Sequence, residues 1–381
     1  MKIANVEIIM FPAKSGDCIL LHFIKENFHI LIDGGYVSTY EEYLKPYLMK
    51  LSESDAKLDL VIVTHIDRDH INGIKKLLEE NGNSKCPNII EIGEVWFNSF
   101  RNIFKVPEKK EGGLSFSERG ILNNMAANNN ESTSDNIENI SFRDGNCLAD
   151  LLIKNEYAWN ISCQKVIACD DTPKVSFGNI DISILNPSKE DLNTLADVWM
   201  KDISRQCKKV IVCNNHLFDR AFEGYFIDDM EYSVEKEKIS YSSDTMIDWK
   251  IAAELDDDHP DKSVSNQSSI VVMIEYDGKT YLFTGDCPIT KIKWKLPTKI
   301  TLVKLPHHGS GKSNEKEFIR TRKVDYYLIS TDGSHNHPSK SIIGNILCCS
   351  KEQATIVKNY DIPILEDIGI LGEDLIINER Y

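Results

Sequence analysis

Two histidines and two aspartates lie within six residues of one another, in the segment His65-Ile66-Asp67-Arg68-Asp69-His70. The segment follows the apolar run 58–63, which is typical of a buried strand, and α/β folds place their sites beyond the carboxyl ends of such strands. Imidazole and carboxylate groups suit Zn²⁺ or Mn²⁺, whereas the absence of thiolates here disfavours a closed structural zinc site. The segment therefore predicts a metal site.

Three later strand ends carry residues of the same kinds. Asp286 closes a second predicted hairpin, and His307-His308-Gly309-Ser310 follows the apolar run 300–305. A pair of histidines followed by Gly-Ser offers a metal ligand, a proton donor and backbone N–H groups for an anion. A third strand leads to His335, which we expect at the surface, and to His337, which we expect either near the site or at the surface.

The elements that position these residues alternate between strands and helices. The strands 18–24 and 28–32 form a predicted hairpin that ends at Asp33, and 58–63 is a strand followed by a helix that begins at Gly73. After residue 264 the pattern returns as strand, Asp277-Gly278 turn and strand, ending at Asp286. This repetition predicts two sheets built from similar halves.

The segments between these elements carry weaker signals. Residues 125–141 are rich in Asn and Ser and predict a flexible loop. The acidic run 254–261 is typical of a solvated linker, and Asp17 is typical of a turn.

The composition is that of a globular protein of 381 residues with a net charge of −15, which disfavours broad binding to nucleic-acid backbones. The ten cysteines show no CxxC spacing, which favours reduced thiols over a metal knuckle. The N-terminal stretch lacks the features of a signal peptide, and the longest apolar runs are far shorter than a membrane span of about 20 residues. We therefore expect a cytoplasmic protein that does not bind membranes.

The motifs together resemble a known family. His65-x-Asp67-x-Asp69-His70 is similar to the metal motif of the metallo-β-lactamase superfamily, usually His-x-His-x-Asp-His, and Thr284-Gly285-Asp286 resembles its bridging aspartate motif. The sequence HHGS at 307–310, with Ser-Gly-Asp at 15–17, Asn266-x-x-Ser and His337-Pro, most resembles the ComEC-like branch. That branch includes the nuclease-type domain of a DNA-uptake channel and stand-alone bacterial relatives.

The resemblance implies an α/β (α+β) fold, the αββα sandwich with a large insertion between its two halves. Residues 1–94 would form the first half and residues 263–381 the second half. Residues 95–262 would form an insertion that acts as a lid, a specificity region or a docking surface for a protein partner.

The resemblance also implies two divalent metal ions, zinc or manganese, and a role for each site residue. One ion would be held by His65, Asp67 and Asp286, and the other by Asp69, His70, Asp286 and one histidine of the 307–308 pair. We assign His308 as the ligand and His307 as its substrate-facing partner, although neighbours at a strand end cannot be separated by sequence. Asp69 would orient the nucleophile, His307 or His337 would protonate the leaving group, and the supporting residues would be Asp33, Asn266 and Ser310.

Two departures from the family pattern affect the metal site. Asp67 replaces the usual second histidine, which makes the site richer in oxygen and favours Mn²⁺ or a loosely held ion. A further histidine of the family has no clear counterpart, since Asn266 or Ser268 stands in that region. We therefore expect one of the two metal positions to be weak or partly occupied.

Three functions are consistent with this sequence. A window from Lys291 to Lys323 contains ten Lys or Arg and two Glu, and this basic strip favours an anionic substrate such as DNA, RNA or a nucleotide. The expected activity is thus hydrolysis of a phosphodiester by a metal-activated hydroxide. The alternatives are hydrolysis of a carboxylic ester, lactone, amide or thioester on the same site, and a partner-dependent module of a bacterial defence or toxin-type system.

Overall fold

The computed structural model describes most of the chain, in six segments: residues 1–104, 114–127, 147–206, 216–226, 247–255 and 260–366. Most of the predicted loop at 125–141 lies outside the described residues, and so do residues 256–259 of the acidic run.

The first sheet contains six strands: β1 (Lys2–Ile3), β2 (Val6–Met10), β3 (Ile19–Phe23), β4 (Phe28–Ile32), β5 (Leu58–Ile62) and β6 (Ile92–Trp96). Strands β1 to β4 pair in sequence order as antiparallel neighbours. Strands β4, β5 and β6 then pair in parallel, which brings their carboxyl ends to one edge of the sheet.

The second sheet repeats this plan with seven strands: β7 (Lys174–Phe177), β8 (Ile180–Asn186), β9 (Val271–Tyr276), β10 (Lys279–Phe283), β11 (Lys299–Lys304), β12 (Lys323–Ile329) and β13 (Thr355–Lys358). Strands β7 to β10 are antiparallel neighbours, and β10 to β13 are parallel. The predicted turn between β9 and β10 is present, with left-handed φ values of 50° at Asp277 and 70° at Gly278.

Thirteen α-helices occur in the described residues: α1 (Val37–Thr39), α2 (Lys45–Ser52), α3 (Arg68–Asn81), α4 (Phe100–Ile103), α5 (Phe116–Ala127), α6 (Leu148–Lys154), α7 (Lys189–Gln206), α8 (His216–Phe226), α9 (Trp249–Glu254), α10 (Val264–Gln267), α11 (Lys316–Thr321), α12 (Lys340–Cys349) and α13 (Pro363–Glu366). A π-helix at Tyr40–Leu44 joins α1 to α2. In these segments we find no helix with the length and apolar character of a membrane span.

Three apolar clusters separate the layers. Leu60 of β5 and Ile274 of β9 belong to a central cluster formed by the facing sides of both sheets. Val61, the neighbour of Leu60, belongs instead to a cluster under α3, because successive strand residues point to opposite faces. The third cluster packs α12 on the outer face of the second sheet, through residues such as Ile343. The predicted αββα sandwich is therefore confirmed.

The described part of 95–262 is continuous with both halves of this sandwich. Strands β7 and β8 extend the second sheet, which therefore begins at Lys174 and not at residue 263. Helices α4, α7 and α8 pack over the first sheet, where Phe100 lies 5.0 Å from Trp199 and 5.5 Å from Phe218 between ring centroids. The segment therefore adds two strands to the second sheet and a layer of helices to the first sheet. The division into three domains stays a prediction.

Candidate metal centre

The predicted site residues meet at the carboxyl ends of the parallel strands. Asp33 follows β4, His65 follows β5, Asp286 follows β10 and His308 follows β11. All four side chains are buried, with at most 5% of any residue exposed. The two sheets face each other, so residues from opposite ends of the sequence line one cluster.

The first metal motif spans the start of helix α3. We expected this helix to begin at Gly73, but it begins at Arg68. Asp67 adopts an extended backbone (φ −68°, ψ 146°), and its carbonyl accepts hydrogen bonds from the backbone N–H groups of His70 and Ile71. The helix therefore starts inside the motif, which places Asp69 in the first turn, where the helix dipole favours a carboxylate.

One group of potential ligands surrounds His65. Its Nε2 lies 3.5 Å from Asp67 Oδ2 and 3.9 Å from Asp286 Oδ2. The Nε2 of His70 lies 3.5 Å from the other oxygen of Asp286. The ligand atoms of His65, His70 and Asp286 are close enough to one another to hold one cation, and Asp67 lies beside them.

A second group surrounds His308. Its Nε2 lies 3.5 Å from Asp69 Oδ2 and 3.6 Å from Asp286 Oδ2. His70 joins this group, since its Nε2 is 3.9 Å from Asp69 Oδ2. Asp286 is common to both groups, as expected for a bridging carboxylate.

Six buried ligand atoms of these groups have no hydrogen-bond partner among the residues that the structure describes: His65 Nε2, His70 Nε2, His308 Nε2, Asp69 Oδ2 and both carboxylate oxygens of Asp286. A buried polar atom left without a partner costs about 1–3 kcal/mol, and more when it is charged. Such atoms therefore rarely cluster unless an ion or water satisfies them. The residues present fit divalent metal ions.

The electrostatics of the cluster lead to the same conclusion. Burial lowers the pKa of His308, but Asp286, Asp17 and Asp69 outweigh it and raise the pKa to about 9. Burial likewise opposes protonation of His70, yet Asp286, Asp69 and Asp33 raise its pKa well above the ordinary value. The carboxylates thus require positive charge, carried by protons or by metal ions, and metal binding would release protons.

A surrounding layer of hydrogen bonds fixes the imidazole rings. His70 Nδ1 donates to Asp33 Oδ2 at 2.9 Å, and His308 Nδ1 donates to the Ser330 carbonyl at 2.9 Å. Thr64 Oγ1 donates to Asp33 at 2.7 Å, so it accepts from His65 Nδ1 at 2.9 Å. All three rings therefore present the lone pair of Nε2 to the cluster, which is the tautomer that a metal ligand needs.

The carboxylates are oriented in the same way. Asp33 also accepts a hydrogen bond of 2.7 Å from the backbone N–H of Thr64. Ser265 Oγ donates to Asp67 Oδ1 at 2.7 Å, which leaves Oδ2 directed at His65.

Sequence reasoning missed two buried charges beside the cluster. We expected Asp17 to be a turn residue, but it is 1% exposed and forms an ion pair with Lys304. Lys304 Nζ also lies 3.7 Å from Asp286 Oδ1. Burial lowers the pKa of Lys304, but Asp17 and Asp286 outweigh it and keep the ammonium charged. The sequence contained one signal of this ion pair, which is the lysine that ends the apolar run of strand β11.

The acidic run also contributes a residue to the site. We expected a solvated linker over 254–261, but the side chain of Asp261 is only 9% exposed and its Oδ2 lies 3.1 Å from His307 Nδ1. Asn266, which we expected to support the site, donates to Asp261 at 2.8 Å. The neighbouring Pro260 is exposed, so the sequence around Asp261 resembles a solvated segment and only the fold turns this carboxylate inward.

The remaining predicted residues lie at the rim of the cluster. The ring of His337 is half-buried, 5.3 Å from the His307 ring between centroids. Burial, together with His307 and His308, holds the pKa of His337 well below its ordinary value. His335 is exposed, as expected. Ser310 is buried, and its hydroxyl accepts a hydrogen bond of 3.3 Å from the Lys312 backbone, so it stabilises the turn.

The predicted basic strip does not form a continuous surface of unpaired cations. Five of its ten basic residues form ion pairs with carboxylates from elsewhere or from the strip itself: Lys291 with Asp191, Lys293 with Glu315, Lys304 with Asp17, Arg320 with Glu254, and Lys323 with Glu352. Half of the basic residues of the segment are therefore compensated by carboxylates.

Helix α7 reaches the cluster from the predicted insertion. Leu192 and Leu195 of this helix line a cavity of about 20 Å³ together with Phe97, His65 and Ser265. That volume holds about one water molecule. The segment 95–262 therefore forms one wall next to the first group of ligands.

Comparison with known families gives a match for one segment of the chain. Residues 12–118 match the metallo-beta-lactamase superfamily. The matched segment includes the motif from His65 to His70, and the two facing sheets with their helices form an α+β fold.

Solved structures similar to the chain include one described as a mutant of CmlA beta-hydroxylase. The alignment has a TM-score of 0.34 and 10% sequence identity, and it covers 97% of this chain and 50% of that chain. No curated protein was found whose sequence matches this chain.

Proposed function

We propose that this metallo-beta-lactamase superfamily domain is a metal-dependent hydrolase that cleaves phosphodiesters. The observation that carries the proposal is the set of buried ligand atoms without partners around Asp286. Six such atoms from two halves of the fold converge on one cluster, and divalent cations satisfy all of them at once.

The two groups of ligands define two metal positions. His65, Asp67 and Asp286 would hold one ion, and Asp69, His70, His308 and Asp286 would hold the other. The second position has the more complete set of donors, so we expect it to bind more tightly. The mixture of imidazole and carboxylate ligands suits Zn²⁺ or Mn²⁺, and Asp67 in place of a histidine favours Mn²⁺ at the first position.

The bound ions would lower the pKa of water and stabilise the negative charge that develops at the reacting centre. The protein residues supply orientation and proton transfer. Asp69 faces His308 and orients the nucleophile, while Asp33 and Ser265 hold His70 and Asp67 in place. His307 and His337 lie at the rim, where protons would be exchanged with the reacting groups.

The phosphodiester class rests on charge and on motif resemblance. Motifs such as the HHGS segment at 307–310 resemble those of the ComEC-like branch, which includes a nuclease-type domain. Half of the basic residues from Lys291 to Lys323 are paired with carboxylates, including Lys304, so attraction of an anion would come mainly from the bound ions. We therefore expect a single phosphodiester segment in the cleft, consistent with a net charge of −15.

The test is to prepare the protein with Mn²⁺ or Zn²⁺, measure its metal content, and assay cleavage of plasmid, single-stranded DNA, RNA, bis-p-nitrophenyl phosphate and a panel of esters. Phosphodiester cleavage is expected, and cleavage of esters alone would contradict the proposed substrate class. His65→Ala and Asp69→Ala should lose metal and activity while remaining folded. His22→Ala is the matched control, because His22 lies at the other end of the β3–β4 hairpin, stacked on His29. Full metal content in both site variants would overturn the assignment.

A further inference from the structure

The carboxylate of Asp261 receives four hydrogen bonds. Its Oδ2 accepts from Asn266 Nδ2 at 2.8 Å, from His307 Nδ1 at 3.1 Å and from Ser313 Oγ at 3.1 Å. Its Oδ1 accepts from the backbone N–H of Ser263 at 2.9 Å. Burial raises the pKa of Asp261, but the bonds from His307 and Asn266 outweigh it and lower the pKa. The group is therefore an ionised acceptor with a fixed position.

This environment determines the tautomer of His307. An ionised carboxylate only accepts hydrogen bonds, so the proton of the neutral imidazole must be on Nδ1. The amide nitrogen of Asn266, which only donates, lies 3.4 Å from the same Nδ1. Without Asp261, this donor would favour an unprotonated Nδ1 and hence a proton on Nε2. Asp261 thus decides which nitrogen carries the lone pair.

The other nitrogen of His307 faces the metal centre. Its Nε2 lies 3.9 Å from Asp286 Oδ2. The side chain of His307 is 14% exposed, whereas that of His308 is fully buried, so a substrate can reach only the first of the two rings. The backbone of His307 is left-handed (φ 48°, ψ 54°), and its N–H donates to the Gly285 carbonyl at 3.3 Å. The ring of His307 is therefore held by Asp261, and its backbone is held by Gly285.

We propose that Asp261 is a positioning residue that keeps the Nε2 lone pair of His307 directed at the reacting water. This inference rests on the proposed hydrolase function. His307 Nε2 takes a proton from the water as its oxygen forms the new bond to phosphorus, and Asp261 stabilises the resulting imidazolium. The leaving oxygen lies on the opposite side of the phosphorus, so it takes a proton from solvent as its bond to phosphorus breaks, and the imidazolium of His307 returns its proton to solvent, which leaves the histidine neutral.

The kinetic test uses the full-length protein with its metal bound. In Asp261→Ala we expect kcat to fall by about 10²–10⁴-fold, the usual contribution of general acid–base catalysis, with little change in KM and unchanged metal content. Asp261→Asn should show a similar fall in kcat. The NH₂ group of asparagine only donates hydrogen bonds, so it would face one of the four groups that donate to Asp261. Asp277→Ala is the matched control, since Asp277 also accepts from an asparagine, Asn5, at 2.6 Å but lies at the β9–β10 turn. Full kcat in both Asp261 variants would overturn the inference.

A spectroscopic test does not depend on activity. Nitrogen NMR of the zinc form, with isotope-labelled imidazoles and His307→Gln to assign the signal, reports which nitrogen is protonated. We expect Nδ1–H in the native protein and Nε2–H in Asp261→Ala or Asp261→Asn. An unchanged tautomer in both variants would contradict the inference even if the protein is a hydrolase. The expected change in a protein that cleaves no phosphodiester would support the positioning role and refute only the proposed function.

Discussion

Asp33 and Asp286 occupy equivalent positions in the two halves of the molecule. Each follows the second strand of an antiparallel hairpin, and each is fully buried. Asp33 is surrounded by donors, since it accepts hydrogen bonds from Thr64 and His70. Asp286 has no hydrogen-bond partner on either side-chain oxygen within the described part of the chain. The hairpin provides a buried carboxylate in both halves, and the neighbouring residues decide whether it orients ligands or binds metal.

The loops that follow differ as well. After β5, the ligands Asp69 and His70 lie on the first turn of helix α3, whose backbone is regular. After β11, His307 and His308 both have left-handed backbones, with φ of 48° and 56°. The first loop is stabilised by its helix, and the second depends on contacts with other segments, such as the bond from His308 to Ser330.

The comparison is tested most strongly by Asp286→Asn. We expect this variant to lose the bridging ligand of both metal positions, and hence metal content and hydrolysis, because one amide oxygen cannot replace two carboxylate oxygens. Elemental analysis after dialysis measures the loss, with circular dichroism to confirm folding. Retention of two ions would show that Asp286 is not the bridge.

The ion pair between Lys304 and Asp17 joins the second half to the first. Lys304→Met should reduce the free energy of unfolding by about 3–5 kcal/mol, because it leaves Asp17 buried without its counter-ion. Urea denaturation of the metal-free protein measures this change. The double variant Lys304→Met/Asp17→Leu should recover much of the stability, and no recovery would mean that packing, not charge, accounts for the loss.

Asp33→Asn tests the supporting carboxylate. The amide can no longer accept all the hydrogen bonds of Asp33, so His70 loses its fixed orientation. We expect metal affinity to fall by about 10–100-fold, which is typical for an outer hydrogen-bond partner of a ligand, while metal still binds at high concentration. Titration against a chelating dye measures the affinity. A complete loss equal to that of Asp286→Asn would erase the distinction between the two carboxylates.

Gly309→Ala tests the second ligand loop and should have the smallest effect. Gly309 has a φ of +87°, and an added Cβ would lie 2.7 Å from Pro338 Cβ. Gly178→Ala is the matched control, because Gly178 also has a positive φ (+61°) but open space around it. A left-handed alanine costs about 1–2 kcal/mol, so we expect that loss in the control and a larger one in Gly309→Ala, measured by thermal unfolding. Equal losses would show that Pro338 moves aside.

Much of the arrangement could be predicted because it depends on local sequence. The apolar strands, the Asp277-Gly278 turn and the strand-end positions of His65, Asp286 and His308 follow from short patterns. The start of α3 could not be placed, since Asp67 ends the loop through its backbone conformation rather than its residue type. Strands β7 and β8 were missed because β8, which connects β7 to the sheet, pairs with β9 across 85 or more residues of sequence.

By itself, the sequence indicated the αββα fold class through its resemblance to a known family, and it determined the density of ligand residues at strand ends, because motif spacing is a local property. Only the tertiary structure decided how charges combine. It placed Lys304 against Asp17, turned Asp261 towards His307, and paired Lys291, Arg320 and other cations of the basic strip with distant carboxylates. Electrostatic energy depends on distance in space and on burial, and neither can be read from the order of residues.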